Sequence, residues 1–260
     1  MKRTLATGAN ALDSTFFTIR LLCMSLDLIE ATVAGTYPLT PRVQQLVLRA
    51  DGHTFSHEPG QHFNIRMEAD GSPIYRPYSP VSGPGTETLV LAVKRYEEGT
   101  CSVWLHERSV GDTISLMPPS GNLQLRDPTR DAVFLATGTG LTPMLAMLTP
   151  YLEAEGGQAA LLYGERTQAD LMYRATLDRL AATHPSLSVT YVLSDEAWDG
   201  PTGHVQDHLG PVLDRLDQPH AYACGVPQMV VDADATLQDA GVPTDRIFTE
   251  GWEEGAVADN

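Results

Sequence analysis

The chain has 260 residues, 42% of them apolar, and carries 17 basic against 33 acidic side chains, a net charge of −16. That length allows one large domain or two ordinary ones, and the charge makes nucleic acid and anionic membrane surfaces poor partners. No segment reaches the roughly 18–20 uninterrupted apolar residues that span a bilayer, so a soluble protein is expected.

Residues 1–25 read as an extension outside the fold. Lys2 and Arg3 imitate the basic start of a signal peptide, but Asp13 and Arg20 break the apolar stretch that would follow. From Leu28 to Leu125 the chain is written in strand-length runs: Val43 to Leu48, His62 to Met67, Leu89 to Val93, Thr113 to Leu116. Gly, Pro, Asp and Ser clusters separate them, which predicts an antiparallel Greek-key β-barrel over 26–126. One helix is expected inside it, from Ser102 to Glu107, and a turn at Glu97-Glu98.

After Asp127-Pro128 the pattern changes. Val133 to Ala136 is a continuous apolar run, as a strand buried on both faces requires. Strand and helix then alternate: Ala159 to Tyr163 and Ala169 to Ala182, Leu187 to Leu193 and Val205 to Leu216, Ala221 to Cys224 and Met229 to Ala240, then Ile247-Phe248. This predicts an α/β domain over 127–252 with a five-stranded parallel sheet, followed by an acidic tail, 253–260.

Three cysteines, Cys23, Cys101 and Cys224, are widely spaced, with no Cys-x-x-Cys cluster for zinc or an iron–sulfur centre, and a reducing cytoplasm is expected. His53, His57 and His62, and the pair His204 and His208, lack a third ligand at fixed geometry, so no metal is expected. Lys2 and Lys94 are the only lysines. An acidic, lysine-poor chain resembles proteins of salt-accumulating, halophilic organisms, because at molar salt the Debye length is about 3 Å and self-repulsion is screened.

Four motifs carry chemistry. Arg76-Pro77-Tyr78-Ser79, after Glu58-Pro59-Gly60-Gln61, offers a guanidinium fork, a flat ring and a hydroxyl. Gly99-Thr100-Cys101-Ser102 opens a short helix. Gly138-Thr139-Gly140-Leu141-Thr142-Pro143 joins a buried strand to a helix, with Thr142 as N-cap and Pro143 at the first helical position; such a turn favours phosphate. Cys224-Gly225 stands at another strand end. Pro150 should kink or shorten the helix it falls in.

In this order and at these separations the motifs resemble the ferredoxin–NAD(P)⁺ reductase family over residues 26–252. The resemblance implies an FAD-binding barrel, a nicotinamide nucleotide domain, and hydride transfer between NADPH or NADH and flavin. Arg76 would hold the FAD pyrophosphate with Pro77 beside it. Tyr78 would pack on the flavin and Ser79 would face its N5. Gly99, Thr100 and Ser102 would form the pyrophosphate turn. Gly138, Thr139, Gly140 and Pro143 would form the nucleotide turn, and Cys224 and Gly225 would flank the nicotinamide. Phe248-Thr249-Glu250-Gly251-Trp252 resembles the family's acidic-then-aromatic finish. Glu250 would orient the carboxamide or relay a proton, and Trp252 would shield the flavin. Arg166 would meet a 2′-phosphate, yet Ser194-Asp195-Glu196 brings carboxylates that repel one, so both nucleotides stay open. The implied partner is a ferredoxin or flavodoxin in a separate chain. Rival readings are an oxygenase reductase component, a flavin reductase, and a flavin-binding scaffold; the retained glycine turns speak against the scaffold.

Overall fold

A computed structural model describes residues 28–250. The expected N-terminal extension, Trp252 and the acidic tail lie outside them. The first six strands are β1 (Ile29–Thr40), β2 (Val43–Arg49), β3 (Phe63–Ala69), β4 (Ser72–Tyr78), β5 (Thr88–Lys94) and β6 (Thr113–Leu116). They pair antiparallel in the order β4-β3-β6-β1-β2-β5. In β3 the alternation is plain: Phe63, Ile65 and Met67 are buried and Asn64 and Arg66 are half-buried, because successive side chains leave opposite faces. Asp70 and Gly71, both at positive φ, turn β3 into β4, the two-residue hairpin chemistry the strand twist favours. The segment after β4 meets β5, with Val81 N–H donating to the Val90 carbonyl at 2.8 Å, and the sheet curls round a core of Phe55, Phe63, Ile65, Leu89, Leu91 and Leu105. The turn at Glu97-Glu98 is present, and helix α1 (Thr100–His106) starts two residues earlier than expected.

The second unit alternates as the sequence predicts: β7 (Ala132–Thr137), α2 (Leu141–Glu153), β8 (Ala159–Glu165), α3 (Arg174–Thr183), β9 (Leu187–Leu193), α4 (Gly210–Leu213), β10 (His220–Cys224), α5 (Pro227–Asp239) and β11 (Ile247–Glu250). Its five strands are parallel in the order β11-β10-β7-β8-β9. The apolar runs are continuous because both faces are covered. Phe134, Leu161 and Tyr222 pack with α2 residues Met144 and Leu148 on one side. Val133, Leu135 and Ala221 pack with α5 residues Ala233 and Leu237 on the other.

Three local expectations need correction. The helix expected from Val205 to Leu216 is a 3-10 turn, Val205–His208, and the one-turn α4, because Gly210-Pro211 can only begin a helix. Thr142 is not an N-cap: a 3-10 turn, Gly138–Gly140, starts the helix early, Gly140 is the cap, and the Thr142 hydroxyl donates to the Thr139 carbonyl at 2.9 Å. Pro143 still falls in the first turn, where its missing N–H is not needed. Pro150 does not shorten α2, which runs on to Glu153; so near the helix end it removes one bond, and its carbonyl accepts the Ala154 N–H at 3.2 Å.

The connecting segment is clamped to both units. Arg126 N–H donates to Tyr222 Oη at 3.1 Å and its guanidinium lies 5.1 Å from the Phe248 ring. Tyr222 stacks between Phe134 and Phe248, with centroids 5.1 and 5.3 Å apart. The Glu58–Gln61 turn packs against this segment, with Leu125 N–H donating to the Pro59 carbonyl at 3.4 Å. Gly60 sits at φ +104°, where a Cβ would press into the Leu123 carbonyl. Farther along, Tyr173 Oη donates to Gln45 Oε1 of β2 at 3.0 Å, tying the nucleotide side to the barrel.

Candidate active site

The sheet order β9-β8-β7-β10-β11 reverses direction between β7 and β10, and in open α/β sheets ligands bind outside the carboxyl ends of strands at such a switch point. Both glycine motifs lie there. Gly140 follows β7 and presses on the Cys224 carbonyl at the end of β10, so closely that a Cβ at Gly140 would overlap that carbonyl and lie 2.6 Å from the Gly225 nitrogen. Gly225, at φ +151°, faces Thr137 in turn; a Cβ there would lie 2.8 Å from the Thr137 nitrogen. Thr137 Oγ1 accepts the Val226 N–H at 2.9 Å, which locks the two strand ends. The result is a crevice walled by backbone. Burial, and secondarily the charge of Glu250, push the Cys224 thiol well up, so it stays protonated and neutral.

Glu250 is the last residue of β11, in register with Cys224. Its carboxylate crosses to the barrel. Oε1 meets Nδ1 of His62, and Oε2 accepts the Ser79 hydroxyl at 3.5 Å. His62 Nε2 lies 3.1 Å from Ser120 Oγ in the connecting segment. Ser79, Glu250, His62 and Ser120 thus form one hydrogen-bonded chain at the seam between the units. The Tyr222–Phe248 stack and the Arg126 clamp set β11 where its terminal carboxylate can reach. The described residues therefore bring Ser79, Cys224 and Glu250 together.

The Arg76 motif lies on the open edge of the barrel. Arg76 and Tyr78 pair with Ile65 and Phe63, so they share the barrel's inner face where that face opens to solvent. Arg76 is exposed, with Nη1 donating to the Tyr75 carbonyl at 2.8 Å. Pro77 is exposed on the opposite face. Tyr78 packs on the core beside Cys101, and burial holds both its phenol and that thiol above their usual ranges. Gly99 caps α1 and Thr100 is exposed, but Ser102 is buried and its Oγ accepts the Tyr96 N–H at 3.3 Å. Pro143 is buried inside α2 and serves packing. Thr139 and Gly138 line the turn. Arg166 stands apart from this centre, beyond β8, paired with Asp195 at 2.7 Å.

Two residues escaped the sequence reading. His62 carries no metal-ligand spacing in the sequence, and its role shows only in its contact with Glu250. Lys94, at the end of β5, reaches across the seam: its Nζ lies 3.7 Å from where a Cβ of Gly138 would stand. It also faces Glu165, a buried carboxylate that accepts the Tyr163 hydroxyl at 3.0 Å. Burial raises the Glu165 carboxyl, and Lys94 partly offsets that. The scarcity of lysine in the chain was the available signal.

An antiparallel barrel set against a parallel sheet, with the switch-point crevice opening on their seam, defines a two-domain nucleotide-dependent flavoprotein oxidoreductase. Family models agree: an oxidoreductase FAD-binding domain matches residues 39–125 and an oxidoreductase NAD-binding domain matches residues 134–235. Ferredoxin–NADP reductase B of Sorangium cellulosum (strain So ce56) is 35% identical over 240 residues, 86% of this chain and 97% of that protein. NADH-cytochrome b5 reductase 1 of Dictyostelium discoideum is 32% identical, over 73% of this chain and 69% of its own length. Among solved structures, the ferredoxin reductase in carbazole 1,9a-dioxygenase superposes with a TM-score of 0.76 at 28% identity, covering 87% of this chain and 69% of that one. The chain belongs to the ferredoxin–NADP reductase family. Among its described residues no helix is long and apolar enough to cross a membrane.

Proposed function

We propose that this enzyme moves hydride between a nicotinamide nucleotide and FAD at the seam, and passes single electrons to or from a separate carrier of the ferredoxin or flavodoxin type. The observation that carries this reading is the reach of Glu250 from the last strand of one unit to Ser79 and His62 of the other. Residues 188 positions apart in sequence share hydrogen bonds at one point, where two flat rings meeting face to face would react.

The residues fit FAD. An exposed guanidinium, an aromatic ring and a hydroxyl follow one another on an open barrel edge, next to a helix start at Gly99. Arg76 would grip the pyrophosphate with the Gly99–Thr100 amides, Tyr78 would cover the flavin, and Ser79 would hydrogen-bond its reactive edge. Bound FAD supplies an acceptor for the nicotinamide hydride and a donor of single electrons. The chain's own part is positioning. Gly138, Thr139, Gly140 and Gly225 let the nucleotide approach backbone, and Lys94 offers its pyrophosphate a cation. Cys224 gives the nicotinamide a neutral wall. Glu250, linked to His62, holds the carboxamide or carries a proton between Ser79 and the barrel surface. We place the enzyme in a saline cytoplasm, where screening lets an acidic reductase meet an acidic carrier.

A reductase component of an oxygenase is the second reading, favoured by the likeness to the carbazole dioxygenase reductase. Acceptor assays test the carrier assignment. Holoenzyme supplied with NADH and NADPH should reduce ferredoxin or flavodoxin at least about tenfold more efficiently than cytochrome b5 or free flavin. Preferred turnover of free flavin would refute the carrier assignment.

A further inference from the structure

We infer that the enzyme selects NADH over NADPH, through carboxylates that disarm Arg166 and face the adenosine ribose. This deepens the reading above and rests on it. A dinucleotide whose nicotinamide lies at the β7–β10 switch and whose pyrophosphate meets the Gly138 turn must run along the carboxyl edge of the sheet. Its adenosine end then falls beyond β8 and β9. The residues there are Arg166 to Asp170 after β8 and Ser194 to Glu196 after β9.

Arg166 is the cation a 2′-phosphate would need, and its Nε is already bonded to a carboxylate. Its Nε donates to Asp195 Oδ2 at 2.7 Å, and Asp195 N–H returns a bond to the Arg166 carbonyl at 2.9 Å. The Ser194 hydroxyl fixes the other Asp195 oxygen at 2.8 Å. Glu196 is pinned as firmly, accepting from both the backbone and the side-chain nitrogen of Gln168 at 2.7 and 2.8 Å. Asp170 accepts the Thr167 hydroxyl at 2.7 Å. The neighbouring guanidiniums are also engaged: Arg174 with Gln168 and Asp178, Arg42 with Asp170. These hydrogen bonds hold the Asp195 and Glu196 carboxyls below the usual carboxylate range, so both are charged at neutral pH.

Asp170, Asp195 and Glu196 thus line these two loops, with Arg42 beside Asp170 and Arg166 bonded to Asp195. A 2′-phosphate brings about −1.5 to −2 charges, and even where the outer guanidinium nitrogens of Arg166 receive it, it would stand against the charges of Asp195 and Glu196. A ribose diol has the opposite relation, since it donates hydrogen bonds that carboxylates accept.

Calorimetry on the full chain with 5′-ADP and 2′-phospho-5′-ADP tests this without turnover. Wild type should bind 5′-ADP at least about tenfold more tightly. The isosteric double variant Asp195→Asn/Glu196→Gln should gain about tenfold for the phosphorylated probe and bind 5′-ADP more weakly, so that the preference between the two probes is erased or reversed. Equal binding, or tighter binding of 2′-phospho-5′-ADP by wild type, overturns the selectivity and leaves the nucleotide site standing. Binding of neither probe overturns both.

Discussion

Replacing Gly140 by alanine is expected to remove nicotinamide-dependent flavin reduction while leaving FAD bound. The added methyl would overlap the Cys224 carbonyl and crowd the Gly225 nitrogen. Those neighbours are backbone, so no side chain can swing aside. One of the two strand ends must move, and the Thr137–Val226 hydrogen bond that closes the crevice moves with it. A shift of about 1 Å at a positioning element costs about a hundredfold in rate, so kcat/KM for the nucleotide should fall at least about a hundredfold. The barrel, Arg76 and Tyr78 lie on the other unit, so the flavin spectrum should persist. Gly210→Ala is the control: nothing lies within 4 Å of the added atom, and its stability and rate should match wild type. Stopped-flow reduction with matched circular dichroism reads both variants. Near-normal reduction by Gly140→Ala would show that the crevice does not hold the nucleotide.

The second large effect is expected at the seam. Glu250→Ala and Ser79→Ala should each slow flavin reduction at saturating nucleotide by about a hundredfold, within the range that positioned acid–base groups supply. Glu250 contacts both His62 and Ser79, so these residues act as one unit. Their effects should then be far from additive: the double variant should be little slower than the worse single one. His62→Ala should fall between wild type and Glu250→Ala, because Ser79 and Glu250 remain in contact. A merely structural role would instead give three independent losses that track stability. Reduction rates of the five proteins at fixed pH, beside their melting temperatures, read the cycle and the His62→Ala variant. Additive rate losses would separate Ser79 from Glu250.

Much of the fold was legible because local rules repeat. The apolar runs Val133–Ala136 and Ala159–Tyr163 are continuous since each strand is covered on both faces, and helical stretches between them leave few topologies. Ser79, Cys224 and Glu250 could be named because each stands at a strand end or just past one, within a recognisable motif. His62 and Lys94 could not. His62 sits in an ordinary strand approach, and its partner is contributed by the last described strand; Lys94 acquires meaning only when β5 and the Gly138 turn meet. Both depend on docking, which no window of sequence records. The Thr142 error has a smaller cause. The threonine–proline pair is good cap chemistry, but Gly138 and Gly140 let the chain coil one turn sooner. The apolar spacing from Val205 to Leu216 runs across Gly210-Pro211, which interrupts the helix it would otherwise form.

The claim beneath all of this is that nicotinamide and flavin meet directly where the two units touch. Oxygen-free single-turnover mixing of the holoenzyme with nicotinamide nucleotide, carrying hydrogen or deuterium at the transferred C4 position, addresses it. FAD colour should bleach in step with nucleotide oxidation, and more slowly with the deuterated form. Persistent colour, or bleaching only after free flavin is added, would contradict direct transfer at the seam.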